Sequence, residues 1–566
     1  MTEITSPIAE SPRASTAARV GWAIFIVATL YVCYFSHLGA IGFVGPDEPR
    51  YAWIARDMAE TGDWVTPRLY GKPWFEKPPL LYWGAALCFK LFGVSETAAR
   101  LPSAISALLA TLALAWLALR LYGAETARWL LLLLPTTVGM IGFSHAASTD
   151  MPFSAMLTIA MVCAAVVLGL TRNENTPILP RTPWLALILF GFFLGLAVLA
   201  KGPAAIILCG GAIFFWALFT KRWRDAFRLL HPAAIASFCL TALPWYILCA
   251  RRNPDFFRIF IIEHNFKRYL TPEFQHIQPF WYYVPILLVA VLPWIGIFLV
   301  SMVKGIVSSW RARRTPECTL LLICWAGFCV VFFSVSQSKL PGYILPAFPA
   351  IGLLMTREFT PLVQIHGKYF RPALFVSALL LGVLFALVGV ATRRFSQGNE
   401  KFGIALGLVF AAMGAASLLL GIFFSRPKLS PSLQVTAVFC VLPVLLAVSL
   451  SDKLLPSFFL SDPSGRSVAR ELRLRNIPAE KLALTSMNRG MKYSLNFYMH
   501  MEIRYWDENH TTEDYILSRS RSCKRFAPPP FVCEEVPIDY ESTGMYLYRV
   551  RSISSAGRLH ESGQPH

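Results

Sequence analysis

The sequence carries little charge for its length. Of its 566 residues only 15% are Asp, Glu, Lys or Arg, whereas soluble proteins carry about 25%. Hydrophobic residues make up 55% of the chain and the mean hydropathy is +0.51. Apolar runs near the length of a membrane-spanning helix recur along the chain. This composition excludes an ordinary soluble domain and predicts a polytopic membrane protein.

Motifs of several other protein classes are also missing. The sequence has neither a glycine-rich dinucleotide loop nor a P-loop, so no nucleotide cofactor is expected. The formal charge of +19 is typical of basic cytoplasmic loops and contacts with membrane lipids. No nucleic-acid recognition motif accompanies it, so nucleic acid is not an expected partner. The first apolar run lacks a small-residue cleavage site and does not resemble a signal peptide.

The twelve cysteines follow no metal-binding or redox spacing. Most stand alone within apolar runs, as Cys163, Cys209 and Cys239 do, and are expected to be small core residues. Cys523 and Cys533 are the pair in the polar tail. They would form a disulfide if that tail lies outside the cytoplasm.

Hydropathy predicts thirteen membrane spans. They lie near residues 20–43, 101–120, 128–146, 152–171, 184–200, 203–220, 232–250, 282–303, 318–335, 343–356, 372–392, 403–424 and 433–450. An odd number of spans places the two chain ends on opposite sides of the membrane. Basic residues gather in one set of short loops, which makes that side cytoplasmic, together with the N-terminus.

The predicted organisation is a membrane domain over residues 1–450 followed by a soluble tail over 451–566. The first outer loop, 44–100, contains the short apolar stretch Leu80–Phe92, which we expect to be a helix lying at the membrane interface. A true span is the alternative and would invert the downstream topology. The second outer loop is 251–281. The tail alternates short apolar stretches with turns and predicts a small α/β domain, so the fold class is an all-α polytopic membrane protein with a C-terminal α/β domain.

Two adjacent carboxylates follow the first span, in Gly-Pro-Asp-Glu-Pro-Arg-Tyr (45–51). A carboxylate at the membrane edge accepts a proton from a hydroxyl group or orients it, and Asp47 is the candidate for this role. A solvated pair at the start of a loop is the alternative. The flanking prolines predict a fixed turn before a helix over Glu48–Glu60, with Arg50 available to a phosphate.

Further polar residues fall on the same predicted side. Glu76 and Lys77 precede a double proline, which holds the chain extended. Lys77 then suits a phosphate contact and Glu76 a divalent metal or the lysine, with an interfacial anchor as the alternative. Asp150 and Lys201 stand at span ends, where a helix cap and a headgroup anchor are the alternatives.

Two more outer segments carry candidate residues. In Glu263–Tyr269, His264 and Arg268 share a face if the segment is helical. The histidine would bind a divalent ion and the arginine a phosphate, whereas a structural histidine is the alternative. Lys339 and Tyr343 lie in another outer turn, for which a plain connection is the alternative. Cations in this number on one side predict an anionic ligand, and at a membrane edge a lipid phosphate.

Eight short motifs occur in a fixed order. They are Gly-Pro-Asp-Glu-Pro-Arg-Tyr (45–51), Thr-Gly-Asp-Trp (61–64), Phe-Glu-Lys-Pro-Pro-Leu (75–80), Ala-Arg-Leu-Pro-Ser (99–103), Lys-Gly-Pro (201–203), Phe-Trp-Tyr-Tyr-Val-Pro (280–285), Leu-Pro-Trp (292–294) and Ser-Lys-Leu-Pro-Gly-Tyr-Ile-Leu-Pro (338–346). This ordered set resembles the bacterial GT-C glycosyltransferases of the protein-mannosyltransferase type. Within them it is most similar to the aminoarabinose transferase branch, which modifies lipid A.

The resemblance implies a GT-C fold and a sugar donor linked to polyprenyl (undecaprenyl) phosphate. It implies inverting transfer to lipid A at the periplasmic face of the bacterial inner membrane, with a periplasmic C-terminal domain. One alternative is an enzyme similar to protein O-mannosyltransferases, with a protein acceptor. The other is a flippase for lipid-linked sugars that catalyses no transfer, which would place charges near the bilayer midplane.

The resemblance also implies roles for individual residues. By resemblance the acidic residues of the catalytic cavity are Asp47 and Asp150, and we add the neighbouring Glu48 to this predicted group. For Glu48, bracing of the first-loop helix is the alternative. By resemblance the donor-phosphate group comprises Arg50, Lys77, Lys201, Arg268 and Tyr343, with Lys267 as an alternative to Arg268. We add Lys339, which lies in the same outer turn as Tyr343. The pair for a divalent metal ion (Zn, Mg or Mn) is Glu76 and His264.

Overall fold

The computed structural model describes residues 16–171, 183–267, 277–312, 316–364, 379, 382–383, 433–449, 462–507, 514–521, 527 and 531–552. Most of these residues are helical. Eleven of the thirteen predicted spans fall on described helices. The spans predicted at 372–392 and 403–424 lie almost wholly outside the described residues.

The described helices of the membrane region are named in chain order. They are α1 (Thr16–Tyr34), α2 (Asp47–Thr61), α3 (Leu80–Phe92), α4 (Glu96–Tyr122), α5 (Ala124–Leu133), α6 (Val138–Ser144), α7 (Asp150–Val167), α8 (Trp184–Lys201), α9 (Ala204–Thr220), α10 (Trp223–Phe227), α11 (Pro232–Arg252), α12 (Tyr283–Ala290), α13 (Ile295–Ala312), α14 (Glu317–Val335), α15 (Phe348–Gln364) and α16 (Leu433–Ser449). A π-helix spans Arg258–Lys267, and 3-10 turns span Arg228–Leu230, Phe280–Tyr282 and Pro341–Ala347.

Two of the predicted spans are bent. The helices α5 and α6 meet at 64°, and the helical segments Phe280–Ala290 and Ile295–Gly305 meet at 119°. Pro135 and Pro293 lie in these breaks, where a proline cannot continue the helical hydrogen bonding. Among the described residues, six helices are long and apolar enough to cross a membrane, or eight if each bent pair is one span. The chain is therefore a multi-pass membrane protein.

The centre of the bundle is α7. It is apolar on every face and almost wholly buried, as expected for a helix surrounded by other helices. It packs against α4 and α8. The buried face of α4 consists largely of alanine, serine and threonine, and small residues of this kind allow helix backbones in a membrane to approach closely.

The first outer loop forms a compact layer at one end of the bundle. The helix α2 buries Tyr51, Ile54, Ala55 and Met58, a spacing that places them on one helical face. A two-stranded ribbon follows, with β1 (Arg68–Leu69) antiparallel to β2 (Lys72–Pro73). The helix α3 has the predicted bounds and packs against both α2 and α4.

The C-terminal region has α/β structure. Its mixed sheet contains β3 (Leu482–Thr485), β4 (Tyr515–Ser518), β5 (Phe531–Val536) and β6 (Tyr546–Ser552). The strand order is β3-β4-β6-β5, with β3 parallel to β4 and the other pairs antiparallel.

Three α-helices of the described C-terminal residues accompany this sheet. They are α17 (Arg466–Leu474), α18 (Arg489–Met499) and the short α19 (Tyr540–Thr543). The side chains of Val468, Leu484, Leu495 and Leu547 form part of a core of their own. Cys533 is disulfide-bonded, whereas its predicted partner Cys523 lies outside the described residues.

Candidate active site

The turn before α2 fixes the position of Asp47. Gly45 adopts φ +73°, a left-handed conformation that glycine takes without strain. The prolines at 46 and 49 lie at the start of the helix, where the missing N–H costs no helical hydrogen bond. Asp47 and Glu48 occupy the first turn of α2, where the helix dipole stabilises negative charge. The predicted helix Glu48–Glu60 is thus confirmed as Asp47–Thr61.

Arg50 joins two carboxylates. Its guanidinium donates to Asp47 Oδ1 and, over 3.0 Å, to Glu76 Oε2, while Nε donates to the Pro46 carbonyl over 2.8 Å. Lys77 Nζ lies 3.7 Å from Glu76 Oε1. We refer to Asp47, Arg50, Glu76 and Lys77 as the Asp47 cluster.

The members of the Asp47 cluster differ in their exposure to solvent. The Asp47 side chain is 48% exposed, whereas those of Arg50 and Glu76 are 6% and 10% exposed. Burial lowers the pKa of Arg50, but Glu76, Tyr51 and Asp47 raise it, and the net pKa is raised. Arg50 therefore stays charged, and Asp47 presents the accessible carboxylate.

A second group forms where α7 begins and α8 ends. Lys201 Nζ donates to Asp150 Oδ1, and the same ammonium lies 4.3 Å from the ring centroid of Tyr343. At Gly342 a Cβ atom would come within 2.6 Å of the Asp150 carboxylate. We refer to Asp150, Lys201 and Tyr343 as the Asp150 cluster.

Glu48 connects the two clusters through the backbone. Its Oε1 accepts a hydrogen bond from Ala147 N over 2.8 Å, three residues before Asp150. Both clusters therefore lie at the same end of the bundle. They combine carboxylates with cations at that end, and such an arrangement suits an anionic ligand and a hydroxyl or anionic acceptor.

Known proteins with related sequences identify the family. The model of the dolichyl-phosphate-mannose-protein mannosyltransferase family matches residues 20–260. An undecaprenyl phosphate-alpha-4-amino-4-deoxy-L-arabinose arabinosyl transferase of Edwardsiella ictaluri is 33% identical over 412 residues, covering 70% of this chain and 72% of the relative. The chain belongs to the aminoarabinose transferase family of GT-C glycosyltransferases. Its activity is therefore glycosyl transfer.

Two further proteins agree with this family assignment. The enzyme of the same name from Aeromonas salmonicida is 32% identical and covers 68% of this chain and 67% of the relative. The crystal structure of ArnT from Cupriavidus metallidurans bound to undecaprenyl phosphate superposes with a TM-score of 0.73. It is 25% identical, and the match covers 94% of this chain and 98% of that one.

In this aminoarabinose transferase family member, the predicted site residues Glu48 and Lys339 are hydrogen-bonded to other parts of the protein. Both carboxylate oxygens of Glu48 are bonded to Arg100, at 3.0 and 2.9 Å, which favours the bracing role over direct catalysis. Lys339 is 7% exposed and donates to the carbonyls of Gln278 and Ser336, over 2.9 and 2.6 Å. These contacts favour a loop clamp over a phosphate ligand.

The second outer loop contributes less to the described site. His264 is half-buried in the π-helix Arg258–Lys267, and Arg268 lies outside the described residues. The Glu76 carboxylate is shared between Arg50 and Lys77. In the described ranges no three His, Cys, Asp or Glu side chains are grouped as metal ligands. The metal pair Glu76 and His264 stays a prediction, and no reaction step is assigned to a metal ion.

Sequence reasoning missed three residues that border the site. Arg100 lies within the motif Ala-Arg-Leu-Pro-Ser, which signals its importance without naming its partner. Trp74 and Tyr493 place their ring centroids 5.5 and 5.4 Å from Arg50 Cζ. Trp74 stands two positions before Glu76 in the chain, and this proximity is a signal by which it could have been found. Nothing in the tail sequence points to Tyr493.

Proposed function

We propose that this enzyme transfers 4-amino-4-deoxy-L-arabinose from undecaprenyl phosphate to lipid A, with inversion at the anomeric carbon. The observation that carries the proposal is the Asp47 cluster, in which one accessible carboxylate stands beside the cations Arg50 and Lys77. The names of the relatives from Edwardsiella ictaluri and Aeromonas salmonicida support this donor. The ArnT structure bound to undecaprenyl phosphate supports the same lipid carrier.

The proposed reaction exchanges one C–O bond for another. The bond between the anomeric carbon and the donor phosphate oxygen breaks, and its electron pair leaves with the undecaprenyl phosphate. An acceptor oxygen forms the new bond from the opposite face of the sugar. Cations near the leaving oxygen, with Lys77 and Lys201 the candidates, stabilise its developing charge.

The role of Asp47 depends on the acceptor. If the acceptor oxygen belongs to a hydroxyl, Asp47 removes its proton as a general base. If it belongs to an anionic lipid A phosphate, no proton has to be removed and Asp47 orients the acceptor. In both cases the ion pair with Arg50 fixes the carboxylate, since Arg50 is itself held by Glu76 and the Pro46 carbonyl.

The proposal includes a topology. Thirteen spans place the N-terminus in the cytoplasm and the α/β region with both clusters in the periplasm. The basic loops on the opposite side support this orientation. Single cysteines introduced at exposed Arg470 and exposed Lys221, labelled with a membrane-impermeant maleimide in intact spheroplasts, test it. Labelling at 221 but not at 470 would show that the orientation is the opposite of the one proposed.

A divalent metal ion on Glu76 and His264 stays a prediction from the resemblance. Dialysis of the purified protein against EDTA, followed by transfer assays with and without added Zn²⁺, Mg²⁺ or Mn²⁺, tests it. Activity that survives complete metal removal would end this part of the proposal. The steps described for Asp47 and the cations would be unaffected.

Replacement of Asp47 tests the function itself. We expect Asp47→Asn to abolish sugar transfer, measured by mass spectrometry of lipid A, while leaving membrane insertion intact. Asp255→Asn is a matched control, because Asp255 is an exposed carboxylate paired with Arg258, and it should retain full activity. Full activity of Asp47→Asn would exclude the proposed catalytic role, and lipid A unmodified by the wild-type protein would exclude the acceptor.

A further inference from the structure

The C-terminal helix α18 lies directly against the turn that carries Asp47. Ser494 Oγ donates to the Phe43 carbonyl over 2.8 Å, and Phe43 N donates to the Tyr498 hydroxyl over 3.0 Å. Tyr498 in turn donates to Glu96 Oε1 over 2.7 Å. The residues that lead into the catalytic turn are therefore held by α18, which is itself bonded to α4 through Tyr498.

The two backbones approach closely at a pair of glycines. A Cβ atom at Gly490 would lie 3.0 to 3.3 Å from the backbone atoms of Gly45. Few real Cβ contacts are this short, so the absence of a side chain at 490 permits the observed spacing. The first turn of α18 is thus seated on the glycine that begins the catalytic turn.

One side chain of α18 reaches the Asp47 cluster. The ring centroid of Tyr493 lies 5.4 Å from Arg50 Cζ, within the distance at which a guanidinium is attracted to an aromatic face. Tyr493 is stacked on Tyr70 with a centroid separation of 6.4 Å and an interplanar angle of 24°. The Tyr70 hydroxyl accepts a hydrogen bond from Asn496 Nδ2 over 2.9 Å, so two residues of α18 fix this arrangement.

We propose that Tyr493 is a positioning residue for glycosyl transfer and that the C-terminal region completes the active site. The inference rests on the proposed role of Asp47. The Tyr493 ring shields the Arg50 guanidinium from water and restrains its plane. Arg50 in turn restrains the Asp47 carboxylate through their ion pair. Without the ring, water screens this pair and the carboxylate gains rotational freedom.

The aromatic face is the property that the proposal requires. Tyr493→Phe retains the ring and should retain at least half of the wild-type kcat. Tyr493→Leu keeps apolar bulk without the aromatic face and should lower kcat about tenfold, the scale of one cation–aromatic contact of about 1.4 kcal/mol. The KM for the donor should change less than twofold, since Tyr493 acts through Arg50 on Asp47.

A matched control is available within the same region. Lys492 Nζ lies 4.4 Å from the ring centroid of Tyr505, a cation–aromatic contact of the same kind that involves no residue of α2. Tyr505→Leu should leave kcat unchanged. Equal losses in Tyr505→Leu and Tyr493→Leu would mean that general weakening of the C-terminal region is responsible, and would overturn the proposal.

The experiment uses the full-length protein in lipid nanodiscs, with undecaprenyl phosphate-linked aminoarabinose as donor and lipid A as acceptor. Hydrogen–deuterium exchange of the segment 43–51 provides a second readout that requires no activity. Exchange there should rise in Tyr493→Leu and stay at the wild-type level in Tyr505→Leu and Tyr493→Phe. An unchanged kcat or unchanged exchange in Tyr493→Leu would overturn the proposal, as would a Phe variant as impaired as the Leu variant. Wild-type protein without transfer activity would instead refute the proposed function, and the exchange arm would still decide whether Tyr493 orders the catalytic turn.

Discussion

Arg100 at the start of α4 binds both carboxylate oxygens of Glu48 at the start of α2, over 3.0 and 2.9 Å. The same guanidinium donates to the carbonyls of Leu38, Ile41 and Gly42 over 2.7 to 3.0 Å. The side chains of Arg100 and Glu48 are only 3% and 13% exposed. This pair ties the chain leaving α1 to the first turn of α2, where Asp47 stands next to Glu48.

We expect Arg100→Met to lower the stability of the protein by about 3–5 kcal/mol, because a buried carboxylate loses its partner. The measurement is thermal unfolding in detergent, followed by intrinsic fluorescence. Asp47→Asn should unfold at nearly the wild-type temperature, since Asp47 is half exposed. Arg470→Met, a change at an exposed arginine, is the control, and an unfolding temperature of Arg100→Met equal to that of this control would exclude the bracing role of Glu48.

Gly342→Ala should inactivate the enzyme without unfolding it. The added Cβ would lie 2.6 Å from Cγ and Oδ2 of Asp150, so the carboxylate has to move away from Lys201. We expect transfer to fall at least tenfold, corresponding to about 1.4 kcal/mol of lost transition-state stabilisation.

A second glycine serves as the control for this substitution. Gly327 lies on α14, where an added Cβ would meet no atom within 4 Å. Gly327→Ala should therefore be fully active. If Gly342→Ala matches it in kcat, the Asp150 cluster takes no part in the reaction.

Much of the fold was predictable because membrane spans depend on local composition. An apolar run long enough to cross a bilayer forms a helix, since its backbone polar groups have no other partner in lipid. The helix α3 has the predicted bounds for a different reason, because Pro79 and Gly93 flank its short apolar run. The 64° and 119° bends were not predicted, because a proline within an apolar run permits a break without setting its angle.

The site was less predictable, because its pairings join residues that are distant in sequence. The predicted spans place Asp47, Glu76, Asp150 and Lys201 on one side of the membrane. They do not indicate that Arg50 takes Glu76 as a partner, or that Arg100 takes Glu48. The contact between Tyr493 and Arg50 depends on how the C-terminal region docks, which no periodicity in the tail specifies.

Lys339 provides a direct test of the loop-clamp interpretation. Burial lowers the pKa of its ammonium, which donates to the Gln278 and Ser336 carbonyls. Lys339→Met would leave these acceptors unpaired, and we expect a loss of stability of about 1–3 kcal/mol. The donor KM of the folded variant should change less than twofold. A tenfold rise in donor KM at an unchanged unfolding temperature would instead support the phosphate role.

Asp63 couples stability to pH at the junction of the first outer loop with α11. Burial raises the pKa of its carboxyl, but hydrogen bonds from the backbone N–H groups of Val65 and Thr66 and the charges of Arg252 and Arg68 lower it, and the net pKa is lowered. A carboxyl with a lowered folded-state pKa stabilises the protein above its unfolded-state value of 3.8. This contribution is lost as the pH falls through the lower folded-state value.

We therefore expect Asp63→Asn to be less stable than the wild-type protein at pH 7, by on the order of 1 kcal/mol for a partly exposed pair. The difference should be constant between pH 7 and pH 5 and should shrink below about pH 4. Unfolding temperatures of both proteins across this range provide the measurement. Asp514→Asn is the control, because Asp514 is half exposed and pairs with Lys481 over 3.1 Å away from this junction. A difference between Asp63→Asn and wild type that grows as the pH falls would contradict a lowered pKa for Asp63, because it would require this carboxyl to bind its proton more tightly in the folded protein than in the unfolded chain.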